Sequence, residues 1–358
     1  MKDTKTLLQV LLAGYTWPQK RNFLRYFFSQ GGPVAAYQPI TLSIVATGRC
    51  TLACDMCPTH SRLVPADYEH TQKTKTDMEF EMFRDIIDRF DKALAVHIIG
   101  SGEPLLNKDL FRMIEYAARK RMLVKTISNG TLLSEDGVME KILASRLEGI
   151  TISINGHNRD EFSRMTGMKS AVFDDIRRNI SELIRKKRKT GSRVKVKLSF
   201  ILDSVNIHAL DAMITLALEL GADHTFFCNF LPAPFDGLRP EERVLFDDAH
   251  LPVLRAAYRR LRRGQTKRFT FPPLLKRGMK IMKCCDSHFS QMRVDGGGNV
   301  SSCSMMLLNM ENKGKYSDRD AWNNEFFQMM RRRFIDTQAP LPDPCYHCTS
   351  NFGIRLQS

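Results

Sequence analysis

The sequence predicts an α/β fold, a partial (β/α)6 barrel followed by a small cysteine-rich C-terminal module, and three observations carry that expectation. Between residues 41 and 229 short β-branched runs alternate with amphipathic helical stretches, the pattern of a parallel sheet covered by helices. The nine cysteines are grouped, at 50, 54 and 57 and again at 284, 285, 303, 345 and 348, with 228 apart. At 358 residues, 43% hydrophobic and 26% charged, the chain can bury a large core with a smaller unit beside it, which excludes disorder and collagen-like order.

Residues 1–39 read as an N-terminal helical extension. Its apolar cluster, Leu7 to Ala13, is interrupted by Gln9 and falls short of the roughly 18 apolar residues a membrane span needs. No cleavage-like site marks it as a secretory signal, so a cytoplasmic protein is expected. The stretch Trp17 to Phe28 mixes aromatics with cations, as interfacial helices do, and peripheral membrane contact stands beside simple packing on the barrel as its reading.

Residues 40–230 form the expected core. Its strands are Thr41 to Ala46, Ala95 to Ile99, Leu123 to Ile127, Gly149 to Ile154, Val194 to Ile201 and Asp223 to Asn229. Helices fill the gaps; one places Val172, Ile176, Ile180, Leu183 and Ile184 on a single face. It leaves through five consecutive basic residues, Arg185 to Lys189, which suit a helix C-terminus. Residues 231–283, opening on the Pro-rich Leu231 to Pro240, read as a linker and helical segment, and 284–358 as the cysteine-rich module.

Six β/α units imply an open barrel or a doubly wound sheet, and either gathers ligands at the carboxyl ends of its strands. Just past the first strand stands Cys50-x3-Cys54-x2-Cys57; past the second, Gly100-Ser101-Gly102-Glu103-Pro104; past the third, Ser128-Asn129-Gly130. The fourth ends in Ser153-Ile154-Asn155-Gly156, and Cys228 lies in the sixth. Three thiolates within eight residues can wrap one compact cluster, one ligand short of a closed site. A 4Fe-4S cluster so held keeps one iron open for chemistry; zinc is the alternative.

These motifs resemble the radical S-adenosylmethionine (SAM) superfamily. The resemblance covers residues 40 to 230 and, separately, the tail. It implies a 4Fe-4S cluster on Cys50, Cys54 and Cys57, SAM chelated at the open iron, and an electron donor such as flavodoxin or ferredoxin. Cleavage of SAM would yield a 5′-deoxyadenosyl radical that takes a hydrogen atom from substrate. Glu103 falls where the family binds the methionyl ammonium, within the cofactor-binding stretch Gly100, Gly102 and Pro104, whose glycines would admit the cofactor. Asn129 and Ser153 fall where ribose and carboxylate are contacted, and Arg164 resembles the arginine that pairs with the carboxylate. Met56 stands where an aromatic commonly flanks the adenine, and Asn155 where Asp is common.

In the tail, Cys285-x12-Gly298-x4-Cys303 with Cys345-x2-Cys348 supplies four thiolates, enough to close a site. The glycines Gly296 to Gly298 suggest a hairpin that folds one cysteine back toward the other. The pattern resembles SPASM and twitch extensions, which implies one auxiliary 4Fe-4S cluster, with a four-cysteine zinc site as the alternative. Of the adjacent pair Cys284 and Cys285, the family spacing favours Cys285.

Cys228 has two readings: a small hydrophobe in a strand, or a hydrogen-atom donor that quenches a substrate radical, as an epimerase needs. The expected activity is dehydrogenation or epimerisation of a sugar-like small molecule, phosphorylated or lipid-linked. Peptide modification (maturation of a ribosomally made peptide) ranks second, because some 40 residues before the first strand are few for a leader-binding domain. A plain iron-sulfur carrier or a nucleic-acid-binding protein is the non-enzymatic alternative, disfavoured by the three-cysteine loop. With 54 basic against 39 acidic residues the formal charge is +15. The basic runs Arg259 to Arg263, Lys267-Arg268 and Arg331 to Arg333 point to phosphate; no nucleic-acid-binding signature accompanies them.

Overall fold

The computed structural model describes residues 3–62, 76–230, 243–262, 264–275, 283–304, 314–342, 345, 348, 353 and 354. The chain opens with α1 (Thr4–Leu12) and α2 (Trp17–Phe27), then enters β1 (Thr41–Thr47). There follow α3 (Phe80–Arg89), β2 (Ala95–Gly100), α4 (Leu110–Arg119), β3 (Leu123–Ser128), α5 (Val138–Ala144), β4 (Gly149–Ser153), α6 (Arg159–Thr166), α7 (Ala171–Thr190), β5 (Lys195–Leu202), α8 (Leu210–Leu220) and β6 (His224–Asn229). Each expected strand of the core is present to within one residue at either end.

Beyond the core come α9 (Asp247–Arg260), the short β7 (Phe269–Thr270) and β8 (Leu274–Leu275), α10 (Ser287–Ser290), β9 (Gln291–Val294), β10 (Val300–Ser301), α11 (Glu325–Ile335) and β11 (Gly353–Ile354). One sheet runs β10-β9-β1-β2-β3-β4-β5-β6-β7, parallel throughout except for β10. The glycine hairpin forms as expected: Gly298 takes φ 78° at the turn between β9 and β10. It extends the main sheet beside β1, so the cysteine-rich region and the core share one set of strands.

Strands β1 to β6 are laid down in sequence order, and right-handed crossovers in one direction place every helix on the same face. That is the singly wound, barrel-like arrangement, and it removes the doubly wound alternative. On the helix-covered face Leu42, Ile44, Val96, Ile98, Val124, Ile150, Ile152, Val196, Leu198 and Phe200 are sealed off completely, among helix residues such as Phe83, Met113, Ile176 and Met213. The register puts Ser43, His97, Lys125, Thr151, Ser153, Lys197, Ser199 and Cys228 on the opposite, concave face.

The N-terminal extension corrects the interfacial-helix expectation. Helix α2 buries Gln19, Asn22, Phe23 and Tyr26 against the end of the barrel where strands begin. Gln19 Nε2 donates to the carbonyls of Ala93 and Lys120 at 3.0 Å each, and Tyr26 Oη donates to Asp286. The aromatics expected at a membrane surface are thus mostly spent on packing, although Trp17 and Phe28 stay exposed. Among the described residues no helix is long and apolar enough to cross a membrane.

The basic runs need a similar correction. Arg331 is fully buried; its guanidinium donates to the carbonyls of His288, Pro33 and Trp322 and to Asn323 Oδ1, at 2.8 to 3.1 Å, and lies 4.3 Å from the Trp322 ring. It ties α11 to the segment before β1 and binds no outside anion. Of the run on α7, Arg185, Lys186 and Lys187 pair with Glu182, Glu140 and Asp223. Arg260 pairs with Asp211, Arg268 donates to the Ala222 carbonyl at 2.6 Å, and Arg263 lies outside the described residues.

Candidate active site

The Cys50–Cys57 loop leaves β1 at its carboxyl end and is held against the exit of β2. Gly102 N–H donates to the Thr47 carbonyl at 3.3 Å and Glu103 N–H to the Arg49 carbonyl at 2.8 Å. A Cβ on Gly102 would stand 1.8 Å from the Arg49 oxygen, and one on Gly100 would stand 2.5 Å from the Gly102 oxygen. Gly102 therefore admits the chain's own cysteine loop, and Gly100 admits the tight turn to Gly102. Pro104 is buried at the start of the short helical turn that follows.

Glu103 is almost wholly buried. Its carboxylate accepts the Asn129 N–H at 2.6 Å and the Leu105 N–H at 3.1 Å. Burial pushes its pKa up against these donors, and burial likewise raises the Cys50 thiol, with smaller contributions from Cys57 and then Glu103. Asn129 also directs Nδ2 toward Cys50 Sγ at 3.7 Å and Thr51 Oγ1 at 2.9 Å, and Thr59 Oγ1 sits 3.2 Å from Cys57 Sγ. Cys54 is driven to about 12 by burial, then by the Cys57 and Cys50 thiolates. Thiols held this close at Cys50 and Cys54 resist ionisation, and a cationic iron centre would relieve that.

A small apolar patch adjoins this loop: Met56, Met165 and Phe230, with Cys54 and Ile201 at its edge. Phe230 supplies an aromatic where the sequence at Met56 lacks one; it follows the sixth strand with no motif to mark it. Arg164 is less free than the resemblance implies. It contacts Asp203 at 3.5 Å and Glu161 at 3.2 Å. Asp203, fully buried, is held mainly by Arg243, which reaches it at 2.7 Å and covers the Phe230 ring at 4.3 Å. Burial opposes its ionisation, but the Asn206 N–H and the two guanidiniums outweigh that and keep its carboxyl below the usual range.

Ser153 Oγ pairs with Ser199 Oγ at 3.0 Å on the concave face. Asn155 takes φ 48° and accepts the Ile201 N–H at 3.3 Å, so it serves the backbone turn after β4. Cys228, beside Ile201 in the register, is exposed on the concave face, unlike a packed strand cysteine; the protein around it still raises its thiol pKa by desolvation. The Pro-rich segment Leu231 to Pro240 and residues 63–75, which follow the Cys50 loop, lie outside the described residues.

The second thiol group gathers at the other end of the sheet. Cys285 precedes α10 and β9, and Cys303 follows β10, which runs back toward the start of β9. Cys345 is pushed to about 12 by burial, then by Cys303, Cys285 and Cys348. Cys285, raised chiefly by burial, also feels Cys348. Cys285, Cys303 and Cys348 thus all lie near enough to Cys345 to act on its ionisation. In neither group are the described side chains drawn into a closed metal-binding shell. Seven residues of β1 separate the two ends by about 20 Å. A cavity of about 520 Å3 lined by Trp17, Arg21, Arg25 and Arg89 lies beside α2, away from both groups.

A three-cysteine loop at the carboxyl end of a singly wound β/α sheet, backed by a buried glutamate, is the arrangement the resemblance to radical SAM enzymes implies. Residues 44–217 match the family model of the radical SAM superfamily. The chain belongs to that superfamily, with a cysteine-rich C-terminal region, and members of the family bind a 4Fe-4S cluster and SAM.

Among curated relatives, the mycofactocin maturase MftC of Mycolicibacterium smegmatis is 26% identical over 185 residues, covering 51% of this chain and 43% of that one. The PqqA peptide cyclase of Granulibacter bethesdensis is 25% identical, covering 53% and 47%. The AdoMet-dependent heme synthase of Methanosarcina barkeri is 29% identical, covering 51% and 48%. The matches thus span about half the length of these relatives. The structure of Streptococcus suis SuiB bound to precursor peptide SuiA shares the fold, with a TM-score of 0.62 at 14% identity over 82% of this chain and 66% of that one.

Proposed function

We propose that this radical SAM enzyme modifies a peptide, with an auxiliary cluster in its C-terminal region. The observation that carries this reading is a three-thiol loop at one end of the strands with a second thiol group at the other, in a chain similar to a peptide cyclase. The sugar-like small-molecule substrate ranks second, since the PqqA cyclase and the peptide-bound SuiB fold support the peptide.

In this reading Cys50, Cys54 and Cys57 hold a 4Fe-4S cluster, and SAM bound there supplies a 5′-deoxyadenosyl radical when an electron arrives. Glu103, with its two oxygens oriented by the Asn129 and Leu105 N–H groups, holds the methionyl ammonium. Met56, Met165 and Phe230 give the adenine an apolar bed. Ser153 and Asn129 offer polar contacts to ribose and carboxylate, and Arg164 turns from Asp203 to the carboxylate. Cys285, Cys303, Cys345 and Cys348 hold the auxiliary cluster. The test is anaerobic reconstitution and reduction with SAM, alone and with short peptides encoded beside the gene. Formation of 5′-deoxyadenosine together with a changed peptide mass is expected; SAM cleavage that no peptide stimulates, with a small molecule altered instead, would overturn the peptide reading.

A second reading, epimerisation of a peptide residue, rests on Cys228. Its raised pKa keeps the S–H intact at neutral pH, and its register neighbour Ile201 packs on the Met56 patch, which supports a place for the thiol on the same side of the sheet. Cys228→Ala should abolish epimerised product while SAM cleavage continues; unchanged product removes this role.

A further inference from the structure

The concave face carries a charge pattern that the cluster chemistry does not use. Arg293 on β9 pairs in register with Ser43, Ser43 with His97, and His97 with Lys125, so one row across four strands bears two cations and a histidine that burial keeps neutral, with its pKa lowered to about 4. Lys197 stands on the same face, and the acid beside this group is Glu148, which is engaged by Lys197 at 3.0 Å and Lys195 at 3.1 Å. Arg293 is 7% exposed, its Nε is buried with no hydrogen-bond partner, and it forms no ion pair with any described carboxylate. Asp295 and Cys303 act on it only at a distance, and burial lowers its pKa to about 10, which leaves it a cation at neutral pH.

A buried guanidinium without a partner destabilises a fold, and a chain retains one where an anion arrives to meet it. The guanidinium fork matches a carboxylate in two parallel hydrogen bonds. Its row lies between the Cys50 loop at one end of the strands and Cys285 and Cys303 at the other.

We infer that Arg293 grips a carboxylate of the substrate on the concave face, between the two thiol groups, with His97 and Lys125 keeping that wall free of negative charge. This rests on the peptide reading, in which the carboxylate belongs to a Glu or Asp side chain or to the peptide's C-terminus.

The test uses the reconstituted full chain and thermal unfolding with three probes at equal ionic strength: N-acetyl-glutamate α-amide, its glutamine counterpart and inorganic phosphate. The glutamate compound should raise the melting temperature and the glutamine compound should not. Arg293→Met should abolish the response while melting higher than wild type without ligand, because the unpaired charge is gone; Arg293→Lys should keep part of the response. Equal effects of the two amides, a response to phosphate alone, or a full response in Arg293→Met would each overturn the assignment. So would a fall in the auxiliary cluster's midpoint potential in Arg293→Met with the glutamate response intact, which would give the charge to the cluster. A peptide screen without products would fail the peptide reading and leave this binding result standing.

Discussion

Gly102→Ala tests how the thiol loop is held. The new methyl carbon would lie 1.8 Å from the Arg49 carbonyl oxygen, whereas carbon and oxygen tolerate no approach closer than about 3.3 Å. The β2 exit and the cysteine loop must therefore part by about 1.5 Å, which breaks the 2.8 Å bond from Glu103 N–H to Arg49 and the 3.3 Å bond from Gly102 N–H to Thr47. Two lost hydrogen bonds at about 1 kcal/mol each, with about 1–3 kcal/mol for the overpacked contact, predict a loss of about 3–5 kcal/mol. Urea unfolding of the apoprotein measures that loss, and iron content after reconstitution measures the displacement of Cys50. Gly264→Ala is the control, since nothing lies within 4 Å of a Cβ there. A Gly102→Ala protein with the wild-type urea midpoint and full iron would refute the argument that the glycine exists for the loop.

Glu103→Gln removes the charge that would meet the methionyl ammonium; about 1.5–3 kcal/mol for a charge-assisted bond predicts a rise in the SAM dissociation constant of roughly 10- to 100-fold, read by calorimetry. Cys285→Ser should lower bound iron by about half while Cys284→Ser leaves it unchanged, by iron assay, if the second group holds one 4Fe-4S cluster. Arg331→Met should cost about 3–5 kcal/mol in urea unfolding because buried carbonyls lose their donor, whereas Arg332→Ala should cost under about 0.5 kcal/mol. His288, buried against Phe334 with Nδ1 2.7 Å from Ser302 Oγ, has its pKa lowered to about 3 by burial and then by Arg331. The unfolded histidine protonates first as pH falls below about 6.5, so stability should decline there by about 1.4 kcal/mol per pH unit from this group. Unfolding titrations between pH 6.5 and 4.5, compared with His288→Gln, check that slope.

What the sequence made legible was local. Alternating β-branched runs placed the six core strands, and the short spacing of Cys50, Cys54 and Cys57 marked the first thiol group, because each signal lies within one strand or one loop. Long-range contacts were hidden: Phe230, Asp203 and Arg243 meet Met56 and Arg164 only through the fold, and no spacing joins them. Charge runs misled for the same reason. Arg331 reads like its neighbours Arg332 and Arg333, and only the helix phase and the segment before β1 decide that it is the buried one. The position of the second thiol group at the opposite end of the strands from the first was equally invisible, since it depends on β9 pairing beside β1.

That pairing also joins distant parts of the chain. Ala35 N–H donates to Asn323 Oδ1 at 2.8 Å, Asn323 returns a bond to the Ala35 carbonyl at 3.1 Å, and Arg331 reaches Pro33. These partners lie 288 to 298 residues apart. At a synthesis rate of about 5–20 residues per second, the partners of Pro33 and Ala35 leave the ribosome roughly 15–60 s after them. The Cys50 loop therefore leaves the ribosome long before the contacts that fasten the segment preceding β1 can form.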